Sequence, residues 1–298
     1  MADETVFVEG SPCVVLDGVS KSFVVQSSRE STWLSSKPLR RLARKVAGRA
    51  AATVTVRALN TTSLVVERGE SIGIIGRNGS GKSTMMKLIC GQQRPSAGAV
   101  YASSTPIMLG VNAALVPELP GDQNVVLGCL AMGLDRETID ARFDEIVELS
   151  GLAASIRLPM KGYSSGMSSR LRFAIAAAVE PEILLVDEAL NTGDAQFLDR
   201  SRRKMDELRG NAGCVFIVSH SLETIVDMSS RVLWLDHGDL VMDGEPREVT
   251  ETYRRFTAQL AKGNNISAAG IKEDARLNLM QTQVKPRISG RRKSDASS

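Results

Sequence analysis

The chain has 298 residues, 43% of them apolar and 24% charged, which suits one large globular domain or two smaller ones around a buried core. No apolar run approaches the roughly 18 residues that would cross a bilayer, and the acidic start MADETVFVEG lacks the basic-then-apolar pattern of a secretory leader, so the cytosol is the expected compartment. A net charge of only +3 argues against a dedicated nucleic-acid binder, and four scattered cysteines without a C-x-x-C pair exclude a zinc framework or a disulfide scaffold.

In chain order, residues 13–16 and 20–25 read as the first strand, ending in Phe23-Val24-Val25. An insertion over residues 27–52 follows and carries a surplus of Arg and Lys. From Pro38, a good first helical residue, Leu39, Leu42 and Val46 line one face while Arg40, Arg41, Arg44 and Lys45 line the other. Such a basic amphipathic helix suits anionic headgroups or a docking partner, and reads equally as a solvated surface helix. Residues 53–56 and 64–66 resume β-branched patterning and lead through Glu67-Arg68-Gly69-Glu70 into the apolar strand 71–75.

Gly76-Arg77-Asn78-Gly79-Ser80-Gly81-Lys82-Ser83 then matches the phosphate-loop pattern G-x-x-x-x-G-K-[ST], with helix expected from Thr84. A strand turning through glycines into a helix start aims successive backbone N–H groups at one point, where the helix dipole also favours negative charge. Lys82 is expected on the β and γ phosphates and the Ser83 hydroxyl on Mg2+.

Apolar spacing is helical from residue 122 to 155 and again from Met167 until Pro181. Short buried strands are expected at residues 183–186, 215–218 and 232–235, alternating with helices as in a parallel sheet covered on both faces. The first of these ends in Asp187-Glu188, an acid pair at the carboxyl end of a buried strand, where open α/β sheets bind ligands. Asp187 suits Mg2+ through water, and Glu188 can point at an attacking water. His220, one of only two histidines, ends the next strand at the same edge. Tyr163-Ser164-Ser165-Gly166-Met167 forms a second helix start fit for phosphate. One nucleotide cannot easily use both loops of one chain, whereas two copies packed head to tail bring them together.

This set resembles the nucleotide-binding subunit of an ATP-binding cassette (ABC) transporter: phosphate loop Gly76 to Thr84, signature Tyr163 to Met167, acid strand ending at Glu188, D-loop ending at Asp194 and switch His220, in family order. The resemblance implies a P-loop NTPase core of the α/β class with a mostly parallel sheet, an N-terminal antiparallel β subdomain and an inserted helical subdomain. It further implies an ATP sandwich dimer with ATP and Mg2+ as ligands, Glu188 as catalytic base and His220 on the γ phosphate. Ser164 and Gly166 are then supplied across the interface, and Ser165 and Asp194 belong to the nucleotide-binding set.

Three departures narrow the resemblance. Ser165 stands for the first glycine of Leu-Ser-Gly-Gly-Gln and Met167 for its glutamine. Leu109-Gly110-Val111-Asn112 lacks the Q-loop glutamine; Gln123 falls too late, and Asn112 is the substitute carboxamide on offer. The D-loop reads Leu190-Asn191-Thr192-Gly193-Asp194. With the insertion, these features are similar to those of ATPases exporting lipid-linked O-antigen, teichoic acid and galactan chains. In that group an aromatic at the position of Phe23 stacks on adenine; a core Phe is a reading of nearly equal weight.

The expected organisation is a nucleotide-binding domain over residues 1–258, with a helical subdomain at about 118–180, and a basic, mobile tail over 259–298 holding a short helix near 273–284. Too few residues follow Arg254 for a carbohydrate-binding β-sandwich of about 100 residues. Substrate choice is therefore expected to lie with an integral membrane permease, the chain sitting at the cytoplasmic face of the membrane and moving a lipid-linked glycan. The alternative cargo is a drug or small lipid. A nucleic-acid or ribosomal cassette would fuse two cassettes or insert long coiled coils, and neither is present.

Overall fold

The structure, a computed structural model, describes residues 12–27, 52–109, 115–186, 195–219 and 221–279, with 282 and 284. The insertion from residue 28 to 51, including the basic helix expected after Pro38, lies outside the described residues.

Two long strands open the fold. β1 (Val14–Ser27) and β2 (Ala52–Val66) pair antiparallel from Val14↔Val66 out to Ser27↔Ala52. The first strand expected over 13–16 and 20–25 is there as β1, and the two stretches read at 53–56 and 64–66 belong to the single strand β2. The register shifts beyond Leu16, next to Gly18 with its φ of 56°. β4 (Ala97–Ala102) pairs on the other side of β1 and completes a three-stranded sheet.

The second sheet contains β3 (Ser71–Ile75), β5 (Ile107–Met108), β6 (Ile183–Val186), β7 (Cys214–Val218), β8 (Arg231–Asp236) and β9 (Asp239–Gly244). Their order is β5-β6-β7-β3-β8-β9, parallel except for the β8–β9 hairpin. Side chains alternate across a strand, and here that sorts the buried residues into two cores. Ile72, Ile74, Leu185, Phe216, Leu233 and Leu235 pack towards β1, β2 and α1 (Lys82–Ile89). Ile75, Leu184, Val186, Ile217, Val232 and Trp234 pack towards the remaining helices. Each such side chain withdrawn from water is worth about 1.5–3 kcal/mol.

The helical subdomain comprises α2 (Gly121–Ala131), α3 (Arg136–Ser150) and α4 (Ser165–Ala177). The helical spacing read across 122–155 is two helices. Gly133, at φ 94°, turns the chain and Asp135 caps α3 by accepting from the Thr138 N–H at 2.7 Å. The cap holds the Asp135 carboxyl below its ordinary range. Further on come α5 (Ala195–Asn211), α6 (Leu222–Met228), α7 (Pro246–Ala261) and α8 (Asn265–Leu277).

Residues 259–279 differ from the expected tail. α8 begins earlier than the helix read near 273–284, and Ala268 and Ala275 are buried where it packs. Lys272 donates to the buried Asp236 at 2.7 Å. Small residues at this spacing hide little apolar surface in the sequence yet let the helix approach closely. Of the four free cysteines, Cys13, Cys129 and Cys214 are buried and Cys90 is half-buried. Burial pushes the Cys129 thiol up to about 11.

Arg231 joins the two sheets. It forks onto Asp243 at 2.6 and 2.7 Å, and donates to the Val65 carbonyl at 3.0 Å and to Glu70 at 3.2 Å. The Asp243 carboxylate, more than the burial that opposes it, raises the guanidinium above its ordinary range.

Candidate functional site

The phosphate loop leaves β3 at Gly76, and α1 begins at Lys82, two residues ahead of the expected start, with Gly81 as its N-terminal boundary. Gly81 has φ 110° and no side chain to cap the helix. The first turn therefore turns backbone N–H groups towards the loop. Gly76 has φ 148°, and a Cβ there would run into the Leu235 carbonyl; one on Gly81 would meet the Ala58 carbonyl at 2.6 Å. These positions need glycine for space as well as conformation.

Lys82 folds over the loop and donates to the carbonyls of Gly76 at 2.6 Å and Arg77 at 3.0 Å. It is 9% exposed. Ser80 accepts through its carbonyl from the Gly238 N–H at 2.9 Å, while its buried Oγ has no hydrogen-bond partner among the described residues. Asn78, Gly79 and Ser83 are exposed and Thr84 is half-buried.

The mould for this loop is the β8–β9 turn. His237 and Gly238 both have positive φ, 51° and 85°, as tight hairpin turns require. Leu235 abuts Gly76, Gly238 bonds Ser80, and Arg77 donates to His237 Nε2 at 2.9 Å and pairs with Asp236 at 3.6 Å. The sequence reading passed over this turn, although Asp-His-Gly after a buried run is a hairpin signal. Behind it, Trp234 packs on Tyr253 and Phe256 with ring centroids 5.5 and 4.9 Å apart.

Phe23 pairs with Val56 on β2, two strand positions from Ala58, whose carbonyl abuts Gly81. The Lys21 ammonium lies 5.2 Å from the ring centroid.

The second predicted helix start is on another element. Ser164 caps α4, its Oγ accepting from the Met167 N–H at 3.2 Å. Among the described residues, a Cβ added to Gly166 would have only Ser164 Oγ within reach, at 3.9 Å. The chain's own packing leaves that glycine unexplained.

What leads into α4 is braced. Lys161 N–H donates to the Pro117 carbonyl at 2.7 Å, and Met160 N–H to the Leu119 carbonyl at 3.0 Å. Tyr163 donates its hydroxyl proton to the Ser155 carbonyl at 2.7 Å. Burial, and then the Asp122 charge, raise that phenol above its ordinary range. Asn124, fully buried, was not singled out in the sequence. Its side chain accepts from Val116 N–H and donates to the carbonyls of Val116, Leu119 and Pro120. A lone buried Asn on an apolar helix face is the signal that could have found it.

Asp187, Glu188, Asp194, His220 and Asn112 lie outside the described residues. β6 ends at Val186 and β7 at Val218, beside β3, which ends where the loop begins. Three adjacent parallel strands thus bring their carboxyl ends to one edge, the place where such sheets bind ligands.

Residues 59–191 match the ABC transporter family. The chain is 37% identical over 248 residues to the O-antigen export system ATP-binding protein RfbB of Myxococcus xanthus, covering 83% of this chain and 56% of that one. It is 36% identical to the teichoic acids export ATP-binding protein TagH of Lactococcus lactis, covering 74% and 47%. The chain thus spans about half the length of these two relatives. It is 30% identical to the ABC transporter protein AbcA of Aeromonas salmonicida, covering 82% and 77%. Among solved structures, an ATP-binding subunit of an ABC transporter superposes with a TM-score of 0.61 at 19% identity, over 86% of this chain and 99% of that one. A dimeric bacterial ABC transporter cassette superposes at 0.59 and 20%, over 78% and 98%. These likenesses show the fold, a P-loop NTPase core with its antiparallel β and helical subdomains. Because the AbcA match runs through most of both chains, the likeness is to a whole family member and not to a shared motif, and this protein belongs to the ABC transporter family.

Proposed function

We propose that the chain is an ATP-hydrolysing subunit that powers a separate membrane permease, exporting a polysaccharide carried on a polyprenyl diphosphate. The observation that carries the ATPase reading is the phosphate loop: glycines that no Cβ could replace, a helix start without a side-chain cap, and a lysine stationed on the loop's own carbonyls. The cargo reading is supported by the O-antigen and teichoic acid export relatives.

Lys82 exchanges the Gly76 and Arg77 carbonyls for the β and γ phosphates, a trade of neutral acceptors for anionic ones that roughly doubles hydrogen-bond strength. The donor set fits Mg2+: the exposed Ser83 hydroxyl opens α1, and Asp187 follows β6 in sequence. When bound, that ion neutralises charge on the phosphate oxygens. Glu188 takes a proton from the attacking water and His220 contacts the γ phosphate, roles that rest on the family resemblance.

A second copy, packed head to tail, supplies Ser164, Ser165, Gly166 and Asp194. The open space around Gly166 supports this, since a glycine unneeded by its own chain suits close approach from outside. Phe23 stacks on the adenine. No helix among the described residues is long and apolar enough to cross a membrane, and the permease holds the subunit at the cytoplasmic face.

The test is depletion of the chain in its source cell, with Glu188→Gln as comparison, followed by measurement of lipid-linked glycan on the cytosolic side. Accumulation in both strains is expected. Normal glycan despite ATPase activity of the purified protein would overturn the cargo and leave a drug or small lipid in its place.

A further inference from the structure

Asp236 is 3% exposed and carries a cationic neighbour at each of its two carboxylate oxygens. One carboxylate oxygen accepts from Lys272 Nζ at 2.7 Å and the other faces Arg77 Nε at 3.6 Å. Lys272 belongs to α8; Arg77 belongs to the phosphate loop. A single buried carboxylate therefore connects the last described helix to the nucleotide site. Arg276, one turn further along α8, lies 4.0 Å from Asp239 across the same hairpin, and Asn60 donates to Asp239 at 2.7 Å. α8 thus grips the turn whose other side shapes Gly76, Arg77 and Ser80.

From this arrangement we infer that Asp236 and Lys272 are positioning residues for the nucleotide site, and that docking of α8 sets nucleotide affinity through them. The inference rests on the nucleotide-binding reading above. Buried charge decides the sign. With Lys272 in place, Asp236 is balanced from both sides and the Arg77 guanidinium stays oriented, its NH2 on His237 Nε2 at 2.9 Å. Without Lys272, one oxygen of a buried carboxylate loses its charged partner, and among the described residues Arg77 is the only other cation within 4 Å, His237 ring nitrogens aside. Arg77 must then turn towards Asp236, and the Gly76 and Arg77 carbonyls that Lys82 holds move with it. Linkage makes the effect reciprocal: if docked α8 favours nucleotide, nucleotide favours docked α8.

The experiment uses the purified full chain with ADP as probe. ADP affinity is measured by calorimetry for the wild type, Lys272→Met and Lys272→Arg, and hydrogen exchange of the α8 amides is followed with and without ADP. Lys272→Met should weaken ADP by roughly fivefold or more, and Lys272→Arg should recover most of it, because charge at that position matters and side-chain bulk does not. In the wild type, ADP should slow exchange across Asn265–Leu277. Unchanged ADP affinity in Lys272→Met, or α8 exchange indifferent to ADP in the wild type, overturns the inference while leaving the ATPase reading intact. A wild type that binds no ADP overturns that reading and this inference together. The exchange measurement needs no variant, so a Lys272→Met chain that fails to fold does not remove the test.

Discussion

Asn124 holds both backbone polar groups of Val116, accepting from its N–H at 2.7 Å and donating to its carbonyl at 2.9 Å, as a neighbouring strand would. Two further donations, to Leu119 and Pro120, close residues 116–120 into a fixed turn. That turn is bonded in its own backbone to the segment leading into Ser164. Asn124→Ala leaves several part-buried backbone groups without their partner, so a loss of about 1–3 kcal/mol is expected, read as a lower urea midpoint, with new proteolytic cleavage near residues 116–120. An unchanged midpoint would show that water replaces the carboxamide.

The glycines divide into two kinds, and alanine should separate them. Gly81→Ala places a Cβ 2.6 Å from the Ala58 carbonyl at a positive φ, so nucleotide binding should be lost. Gly166→Ala sits in a helix with open space around it, and should raise stability by about 0.5–1 kcal/mol while lowering ATPase activity of the assembled dimer. A Gly166→Ala variant that keeps full turnover would remove that residue from the cross-copy role.

The Asp135 cap gives a pH dependence with a defined sign. Hydrogen bonding from Thr138 lowers the folded carboxyl below its unfolded value of about 3.9. Its contribution is therefore fully present above that value and lost as pH falls through the folded one. Asp135→Asn keeps a capping oxygen that does not titrate. Melting curves of the variant should show a smaller loss than the wild type below about pH 4, and parallel curves would show the cap carries no such dependence.

Arg231→Met removes the fork on Asp243 and the bond to Val65, leaving two carboxylates and a carbonyl without their cation. The expected cost is about 1–3 kcal/mol, measured by chemical unfolding. Arg231→Lys should recover only part of it, since an ammonium cannot bridge both Asp243 oxygens and Val65 in one plane.

Much of this was legible because it depends on short-range pattern. The buried runs Ile183–Val186 and Ser71–Ile75 sit between turn signals and appear as strands at those residues. The phosphate loop and the Ser164 start fell where their glycines and serines placed them. What escaped depends on residues far apart in the chain. Nothing near Asp236 announces that Lys272 will reach it, and Ala268 and Ala275 are too small to mark a buried helix face. Asn124 reads as a polar interruption of an apolar stretch until residues 116–120 fold back over it. Boundaries shifted for local reasons: Gly81 and Ser164 stand just outside helices that were expected to begin later.

The turn at residues 235–238 has a consequence for engineering. Because Leu235, Asp236, His237 and Gly238 each touch the strand end or loop that precedes α1, the two segments form a lock cut from one piece, though about 160 positions separate them in the chain. Grafting residues 76–84 into another parallel sheet would carry over the letters of the motif and leave its counterpart behind. A transplant that includes the hairpin, with Ala58 beside it, is the smallest unit that brings the loop's shape along with its sequence.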